Sequence, residues 1–507
     1  MKSSQAIRLA IDLGASGGRV IAAGIDDGKL TLTPVHRFVN QPIRVAGSLQ
    51  WDVVGLWEHI QEGLSRAGQQ FETIASVGVD SWGVDFVLLR EDGLQASPAW
   101  CHRDARNVGT LDEAFAVVPR ERIFAATGLQ FLEINSLYQL INERKLQHSS
   151  LDIATCFLMI GDFIHYLLSG VQTVESTNAS TTQLLDPRDQ TWRDDLMDAF
   201  RLPRSIFPDV TLPGTRIGTL QESVQERTGL GDIPVIAPAT HDTASAVLAV
   251  PAESFAPDKP AGWLPDWCYI SCGTWSLMGC ELGSPELGEA CQQFNLTNEG
   301  GVLGSTRLLR NIGGLWVFQQ IRTALMRQGE TLDWDDMVDA ALQAPALRTL
   351  IDPDAPELLG PPDMVDAIDT FVTRTGQCRF EDHGALFRAA LEGLALRYRA
   401  TLDVLEEVLG RRLETIHLVG GGSQNALLCQ MTADACDRVV IAGPVEATAI
   451  GNFLMQAIGD GELASVDEAR ALVRNSFPTT TFAPLAGAAT GDRAAWDDAS
   501  HRFSQLG

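Results

Sequence analysis

Two glycine-rich turns, one near the start of the chain and one just past its middle, restrict the possible folds more than any other feature. The first lies in Arg8–Ala23, where the apolar runs Leu9–Ile11 and Val20–Ala23 flank an aspartate, a serine and three glycines. The second, Tyr269–Gly279, again has an apolar run, a small polar turn around Gly273 and another apolar run. Each pattern is typical of strand, tight turn and strand. Because the pattern opens each half of the chain, it predicts two related α/β domains.

The first turn is suited to a phosphate ligand, because a glycine-rich turn directs several backbone N–H groups into one concavity. Asp12, at the end of the first strand, is placed to face the magnesium that accompanies a nucleotide. An ordinary glycine hairpin without a ligand is the alternative interpretation of this turn alone. The turn has no Gly-Lys-Ser/Thr ending, which excludes a P-loop, and a strand follows it, which excludes a dinucleotide fingerprint. The two turns together favour domains that close on one nucleotide.

The composition is that of an acidic globular protein. Of 507 residues, 45% are hydrophobic and 20% are charged, and 65 Asp and Glu against 38 Lys and Arg give a net charge of −27. A chain this acidic is not expected to bind nucleic acid or an anionic membrane. No apolar run reaches the length of about 18 residues that a transmembrane helix needs. The nine cysteines are scattered and include no Cys-x-x-Cys pair, which indicates reduced thiols. The start of the sequence leads directly into the first strand. Both features predict a cytoplasmic enzyme. Composition does not specify the oligomeric state.

The order of the predicted elements is that of an α/β protein. Apolar periodicity predicts helices at Thr155–Ser169 and Gly384–Leu409, among others. The proline-rich stretch Pro251–Pro265 predicts a domain boundary. We therefore expect an N-terminal domain at 1–250, with the first turn, and a C-terminal domain at 266–482, with the second turn.

Asp242 is the main candidate for chemistry. It follows a buried strand, Val235–Ala237, and lies where the first predicted domain ends. A carboxylate within reach of a hydroxyl group takes its proton and orients its attack, an effect typically worth about 10²–10⁴ in rate. The alternative is that Asp242 caps the helix that begins there, and the residue by itself favours the cap.

Seven runs of the sequence match one known family in order. They are Asp12–Arg19, Val79–Phe86, Ser176–Leu184, His241–Ala246, Cys272–Met278, Thr297–Gly301 and Val419–Gln424. Together they resemble the FGGY carbohydrate kinases and, within them, the group that acts on L-rhamnulose. The resemblance extends from Ile7 to about Pro478. It implies two actin/hexokinase-like (ribonuclease H-like) domains that flank a catalytic cleft. It also places the sugar site, the first phosphate hairpin and the catalytic aspartate in the N-terminal domain and the nucleotide site in the C-terminal domain.

The same resemblance implies an activity and its substrates. The expected reaction is ATP-dependent phosphorylation of L-rhamnulose on its 1-hydroxyl, with Mg²⁺ as cofactor and with the ketose and ATP as small-molecule partners. One alternative is a kinase for another deoxyketose such as L-fuculose. The other is a non-kinase ATPase module with an actin fold, which would not need a polyol site.

Residue roles are carried over from the family only where the motifs match. Asp242 is then the catalytic base. The sugar contacts are Gly83, His241, Asp242, Thr243 and Asn311. The nucleotide contacts are Ala15, Ser16, Gly17, Gly18, Arg19, Thr274, Gln319 and Gly421. Asp12 is expected to hold magnesium through water, and Trp82 to face either the sugar ring or the core. Gly17 stands where the family pattern most often has a second serine, so the turn keeps its amides but has one hydroxyl fewer.

Overall fold

The computed structural model describes residues 6–146, 148–485 and 493–506. Its strands are β1 (Ile7–Gly14), β2 (Gly17–Asp26), β3 (Lys29–Val39), β4 (Ile43–Val45), β5 (Ser48–Gln50), β6 (Ile74–Ser81), β7 (Phe86–Leu89), β8 (Cys156–Met159), β9 (Val174–Glu175), β10 (Val210–Thr211), β11 (Arg216–Thr219), β12 (Pro234–Ile236), β13 (Trp267–Cys272), β14 (Ser276–Leu282), β15 (Thr297–Gly300), β16 (Thr306–Ile312), β17 (Thr415–Val419), β18 (Val439–Ala442) and β19 (Thr480–Phe482). Its α-helices are α1 (Val53–Gln70), α2 (Thr110–Val117), α3 (Arg120–Thr127), α4 (Ser136–Lys145), α5 (Ile160–Ser169), α6 (Ser176–Ala179), α7 (Asp194–Ala199), α8 (Glu222–Thr228), α9 (Asp242–Leu248), α10 (Glu289–Gln293), α11 (Trp316–Arg327), α12 (Trp334–Gln343), α13 (Met364–Arg374), α14 (His383–Leu409), α15 (Ala426–Cys436), α16 (Ala447–Gly459), α17 (Val466–Ser476) and α18 (Arg493–Phe503).

The chain folds into two compact units that interleave along the sequence. Unit 1 consists of Met1–Trp263, Glu281–Leu308 and Ala447–Ser476. Unit 2 consists of Leu264–Cys280, Leu309–Glu446 and Phe477–Gly507. The domain limits expected from sequence, 1–250 and 266–482, follow the linear order of the chain and stay a prediction.

Unit 1 is built on a six-stranded sheet with the order β11–β12–β6–β1–β2–β3. Strand β1 is antiparallel to β2 and parallel to β6, and β6 is parallel to β12. In the first hairpin Gly14 pairs with Gly17, so that only Ala15 and Ser16 form the turn. Every residue of β1 except the last is buried, as expected for a strand covered on both faces.

The strands that belong mainly to unit 2 repeat this plan in the order β16–β14–β13–β17–β18–β19. Strand β13 is antiparallel to β14 and parallel to β17, and β17 is parallel to β18. The second hairpin, β13–β14, therefore has the same place in its sheet as β1–β2 has in the first. The predicted α/β class, with two related halves that each begin with a glycine hairpin, is confirmed.

One predicted element is wrong. The segment Thr155–Ser169, predicted as one helix, contains strand β8 followed by helix α5. Strand β8 pairs antiparallel with β7, with Met159 opposite Phe86. A continuous apolar run fits a buried strand as well as a buried helix, and the partner strand decides between them. Helix Gly384–Leu409 is confirmed as α14, whereas α17 and α18 are helices that the periodicity analysis does not predict.

Helix α16 returns to unit 1 and packs on helix α9. A Cβ atom built on Gly451 of α16 would lie only 1.7 Å from the carbonyl oxygen of Ser245 on α9. Only glycine allows the two helix backbones to approach this closely. The contact matters for the site because α9 begins with Asp242.

The described part of the chain contains no helix that is both long and apolar enough to cross a membrane.

All nine cysteines are free thiols, and only Cys378 among them is exposed.

Candidate active site

Three of the predicted sugar-site residues meet at one point of unit 1. Asp242 is the first residue of α9, and His241 precedes it as the N-cap residue. His241 Nε2 lies 3.5 Å from Asp242 Oδ1. A Cβ atom built on Gly83 would lie 3.2 Å from the same Nε2. Strand β6 brings Gly83 here, because its last residue, Ser81, forms a β-bridge with His241.

The Asp242 carboxylate is bound on one side and partly exposed. Its Oδ1 accepts hydrogen bonds from Thr243 N (2.6 Å) and Thr243 Oγ1 (3.2 Å), and 31% of its side chain is exposed. Asp242 is not the N-cap residue, although it accepts an N–H group of the first turn. Burial raises the pKa of Asp242 above its ordinary value, and neighbouring Asp12 adds to the rise, while His241 opposes it. A carboxylate with a raised pKa is a stronger base than an ordinary aspartate.

The turn that carries Gly83 is strained and tightly anchored. Val84 has a φ of 66°, a left-handed conformation that β-branched residues rarely adopt. Its N–H group donates to Thr181 Oγ1 (3.0 Å), and its carbonyl accepts from Ser136 Oγ (2.6 Å). A Cβ atom on Gly83 would come within 3.0 Å of the Thr181 side chain. The absence of a side chain at Gly83 therefore leaves room for the Thr181 and His241 side chains.

Asp85, two residues further on, is a buried acceptor that holds an aromatic cluster. Its Oδ2 accepts from the indole nitrogens of Trp51 (2.6 Å) and Trp82 (2.8 Å) and lies 2.7 Å from His102 Nδ1, while Gln139 donates to Oδ1 (3.0 Å). Burial by itself would raise the pKa of Asp85. The opposing effect of His102 and the other hydrogen-bond donors is larger, so the pKa of Asp85 lies below its ordinary value. The rings of Trp51 and Trp82 are 4.4 Å apart. Of its two alternatives, Trp82 takes core packing, with 6% of its surface exposed.

Two residues assigned to the phosphate side pair with each other in the first hairpin. Asp12 and Arg19 are opposite each other in the β1–β2 register. Arg19 Nε and Nη2 donate to Asp12 Oδ2 at 2.8 and 2.6 Å. The register with β6 places Asp80 beside Asp12, and burial followed by the charge of Asp12 raises the pKa of Asp80 well above its ordinary value. Asp80 Oδ2 accepts from Asn452 (2.6 Å), whereas its buried Oδ1 has no hydrogen bond within the described residues.

Asp12 and Asp80 are the residues of unit 1 that could contribute oxygen ligands to a magnesium ion. Magnesium is usually held by one or two carboxylates, with water and substrate phosphates as its other ligands. Asp12 and Asp80 supply oxygen donors of that kind, one of them an unbonded oxygen. Among the residues that the structure describes, no group of three or more His, Cys, Asp and Glu side chains could hold a metal ion by itself.

The remaining nucleotide-side residues belong to unit 2, where helix α11 begins against the second turn. The carbonyl of Thr274 accepts from the N–H group of Trp316, the first residue of α11 (3.0 Å). Gly314 has a φ of 55°, and a Cβ atom there would lie 2.4 Å from the backbone of Trp275. Glycine is therefore required for this close approach. Gln319 lies in the first turn of α11, and its N–H group donates to the carbonyl of Leu315 (2.9 Å), whose own N–H group donates to the carbonyl of Gly273 (3.2 Å).

The triple glycine also packs against the second hairpin. Cβ atoms on Gly420 and Gly422 would meet Cys272 at 3.0 and 2.2 Å, whereas one on Gly421 would have no atom within 4 Å. Gly421 therefore has an open side, as expected for a residue that touches a ligand. Asn311 is half-buried on β16 in the same unit. The binding roles of all these residues remain predictions.

The buried polar residues behind His241 were not predicted from the sequence. Glu175 Oε2 accepts from both Thr240 N and Thr240 Oγ1 at 2.8 Å and so fixes the residue before His241. Arg307 Nη2 lies 2.9 Å from His241 Nδ1, and Glu299 Oε2 lies 3.2 Å from Arg307 Nη2. Glu299 belongs to a run that carries the family resemblance, which is the one signal that could have found it. No pattern in the neighbouring residues predicts that Glu299 is buried.

Comparison with known proteins identifies the family. Residues 7–249 match the N-terminal domain and residues 268–459 the C-terminal domain of the FGGY family of carbohydrate kinases. The chain is 41% identical over 494 residues to a rhamnulokinase of Bacteroides thetaiotaomicron, with 97% of this chain and 98% of that protein covered. It is 36% identical over 481 residues to a rhamnulokinase of Oceanobacillus iheyensis, with 95% and 99% covered. The solved structure of a gluconate kinase from Lactobacillus acidophilus has the same fold, with a TM-score of 0.78 and 17% sequence identity. The match covers 99% of this chain and 97% of that structure. The chain belongs to the FGGY family of carbohydrate kinases.

Proposed function

We propose that this carbohydrate kinase transfers the γ-phosphoryl group of ATP to the 1-hydroxyl of L-rhamnulose, giving L-rhamnulose 1-phosphate and ADP. The observation that carries the proposal is the similarity, over nearly the full length, to several proteins named rhamnulokinase. The fold alone does not choose the sugar, since the structural neighbours include a gluconate kinase and a xylulose kinase. Discrimination between ketoses depends on the positions of individual polar side chains.

Asp242 acts as the general base. Its exposed oxygen accepts the proton of the 1-hydroxyl while the hydroxyl oxygen attacks the γ-phosphorus and the bond to the bridging oxygen of ADP breaks. The hydrogen bonds from Thr243 fix the carboxylate, so it is oriented before the sugar binds. Positioning of this kind is the main source of rate enhancement in phosphoryl transfer.

The sugar contacts within unit 1 are Gly83, His241 and Thr243. Gly83 presents backbone where a side chain would collide with Thr181. His241 presents Nε2 beside Asp242, which suits a hydroxyl next to the reacting one. Asn311 of unit 2 is assigned a further contact, because its amide both donates and accepts.

Each unit offers its own nucleotide contacts. In unit 1 the backbone amides of Ala15–Arg19 suit phosphate oxygens, and in unit 2 the proposed contacts are Thr274, Gln319 and Gly421. Arg19 is paired with Asp12, so its guanidinium is shared between this carboxylate and a phosphate when the nucleotide binds. Asp12, supported by Asp80, would hold magnesium through water, and the ion would neutralise charge on the transferred group.

A coupled assay of ADP release tests the proposal. The purified enzyme is supplied with L-rhamnulose, L-fuculose, D-xylulose or no sugar at equal concentrations. We expect kcat/KM to be highest for L-rhamnulose by at least roughly tenfold, the discrimination that hydrogen-bonded hydroxyls provide, and turnover without sugar to be slow. A higher kcat/KM for L-fuculose would favour a kinase that acts on this other deoxyketose. ATP turnover that does not respond to any sugar would favour the ATPase module.

The location of the enzyme is proposed to be cytoplasmic. The support is the set of nine free thiols, which is typical of a reducing compartment.

A further inference from the structure

A buried arginine and glutamate stand directly behind the histidine of the candidate sugar site. Arg307 Nη2 is 2.9 Å from His241 Nδ1, and Glu299 Oε2 is 3.4 Å from the same ring nitrogen. The exposed fractions of the three side chains are 0% for Arg307, 5% for Glu299 and 7% for His241. All three residues belong to unit 1. The charged groups that face His241 are therefore Arg307 on β16, Glu299 on β15 and Asp242 on α9.

The position of Arg307 is defined by further bonds. Its Nε donates to the carbonyl of Gly300 (2.9 Å), and the N–H group of Gly300 donates in turn to Ser180 Oγ (2.8 Å). Its Nη1 is buried and makes no hydrogen bond to any described residue. Burial of a guanidinium with one nitrogen unsatisfied costs free energy, and such a cost calls for an explanation.

The chemistry of the contact assigns the histidine proton. A guanidinium has only N–H donors and remains protonated, so the nitrogen that faces it must carry a lone pair. Nδ1 of His241 is therefore the acceptor, and in the neutral ring the proton is on Nε2. Protonation of both nitrogens would set two N–H groups against each other and place a second positive charge beside Arg307.

We propose that Arg307, held by Glu299, is a positioning residue that keeps His241 neutral with its proton on Nε2, so that His241 donates to a sugar hydroxyl beside Asp242. This inference rests on the proposed sugar-kinase function, because it takes His241 as a sugar contact. It also explains why Asp242 is the base: Nε2, the ring nitrogen next to Asp242, has no lone pair to accept a proton.

The tautomer is measured directly in the wild-type enzyme without substrate. Long-range ¹H–¹⁵N correlation spectra distinguish Nε2–H, Nδ1–H and doubly protonated rings, and the signals of His241 are assigned by their loss in His241→Asn. We expect the Nε2–H form at neutral pH. An Nδ1–H or imidazolium form would overturn the inference, and this measurement does not depend on the folding of a variant at Arg307.

The variant Arg307→Met supplies the second test. Without the guanidinium, the carboxylate of Glu299 is the remaining partner of Nδ1 and should draw the proton there. We expect the His241 signals to change to the Nδ1–H or imidazolium form. We also expect the KM for L-rhamnulose to rise about tenfold, the loss expected for one hydrogen bond in the site, with the KM for ATP unchanged. An imidazolium 3.5 Å from Asp242 would weaken the base, so kcat for L-rhamnulose should fall as well.

A matched variant separates positioning from simple loss of stability. Arg470 is another fully buried arginine of unit 1, and it pairs with Glu281 at 3.0 Å. Arg470→Met should lower the thermal midpoint of unfolding and leave the His241 tautomer and the KM for the sugar unchanged. Arg307→Lys keeps a positively charged donor and should therefore restore part of the sugar affinity. An Arg307→Met enzyme that is only less stable, like Arg470→Met, would overturn the inference. Turnover of L-rhamnulose by the wild type tests the proposed function separately, since the tautomer is measured without any sugar.

Discussion

Asp242 combines a fixed orientation with an exposed oxygen, the two properties that a general base needs. We predict that Asp242→Asn keeps the bond from Thr243, since an amide oxygen also accepts, but lowers kcat roughly a hundredfold or more because the base is lost. Nucleotide binding, measured by calorimetry, should be unchanged. The matched control is Asp52→Asn, because Asp52 only caps α1 through Gly55, and it should turn over normally. Turnover near the wild-type value in Asp242→Asn would reduce Asp242 to a structural residue.

The phosphate role of the second turn can be tested at Gly273. A Cβ atom there would be 3.8 Å from its nearest neighbour, Trp275 O, whereas one on Gly18 would lie 2.3 Å from the ring of Phe38. Gly273→Ala therefore leaves the fold intact and adds a methyl group where phosphate is expected to approach.

We predict that Gly273→Ala raises the KM for ATP about tenfold or more, leaves the KM for the sugar nearly unchanged, and alters the unfolding free energy by less than about 0.5 kcal/mol. Steady-state kinetics and urea unfolding check these three results. Gly360→Ala, at an exposed position of unit 2 with open space around the new atom, is the control. An unchanged KM for ATP would remove the turn from the nucleotide site.

At the scale of elements, a buried histidine connects helix α5 to strand β6. His165 Nε2 accepts the N–H group of Val79 at 2.9 Å. Burial lowers the pKa of His165 to about 3, whereas in the unfolded chain a histidine titrates near 6.5. Between these values the unfolded state binds the extra proton. The unfolding free energy therefore falls as the pH is lowered through this window, by up to about 1.4 kcal/mol per pH unit.

We predict that His165→Gln, whose amide oxygen can still accept from Val79, removes this contribution. Urea unfolding between pH 6 and pH 4 should show a dependence on pH that is shallower than that of the wild type by up to about 1.4 kcal/mol per unit. His148→Gln, at an exposed position, should keep the wild-type slope. Equal slopes in His165→Gln and the wild type would mean that His165 is protonated in the folded protein.

The close packing of α9 against α16 at Gly451 can also be tested by mutation. An added methyl group on Gly451 would collide with backbone atoms of Ser245, which cannot rotate away as a side chain does. Overpacking of this kind should lower the unfolding free energy of Gly451→Ala by about 2 kcal/mol or more. It should also lower kcat, because α9 carries Asp242. Gly231→Ala, an exposed glycine with open space, should change neither, and a stable Gly451→Ala enzyme would show that the helices can separate.

At the scale of the whole molecule, the thiols report on the packing of both units. Eight of the nine cysteines are buried and only Cys378 is exposed. Burial raises the pKa of buried thiols, for example to about 12 for Cys101 in unit 1 and for Cys436 in unit 2, which slows their reaction as thiolates. We predict that Ellman's reagent reacts quickly with one thiol in the native enzyme and with nine after unfolding. Cys378→Ser should abolish the fast phase, and several fast thiols would contradict the burial of the other eight cysteines.

Features that depend on neighbouring residues could be read from the sequence. The two hairpins, the paired α/β plan and helix α14 follow from turn chemistry and apolar periodicity, which act over a few residues. The same rules failed at Thr155–Ser169, because a buried strand and a buried helix share one apolar pattern until a partner strand is known. The family motifs added the candidate site residues, whose roles stay predictions although Gly83, His241 and Asp242 are close together.

Only the tertiary structure decided which distant segments meet. Arg8 of β1 pairs with Asp460, 452 positions away, and α16 joins unit 1 through Gly451, although the sequence places it in the second half of the chain. Glu299 and Arg307 stand behind His241 for the same reason. The sequence by itself determined the turns, the strands and the chemistry each side chain can offer. Burial and pairing between remote residues are properties of the packed chain, and they alone decided which of those groups share one site.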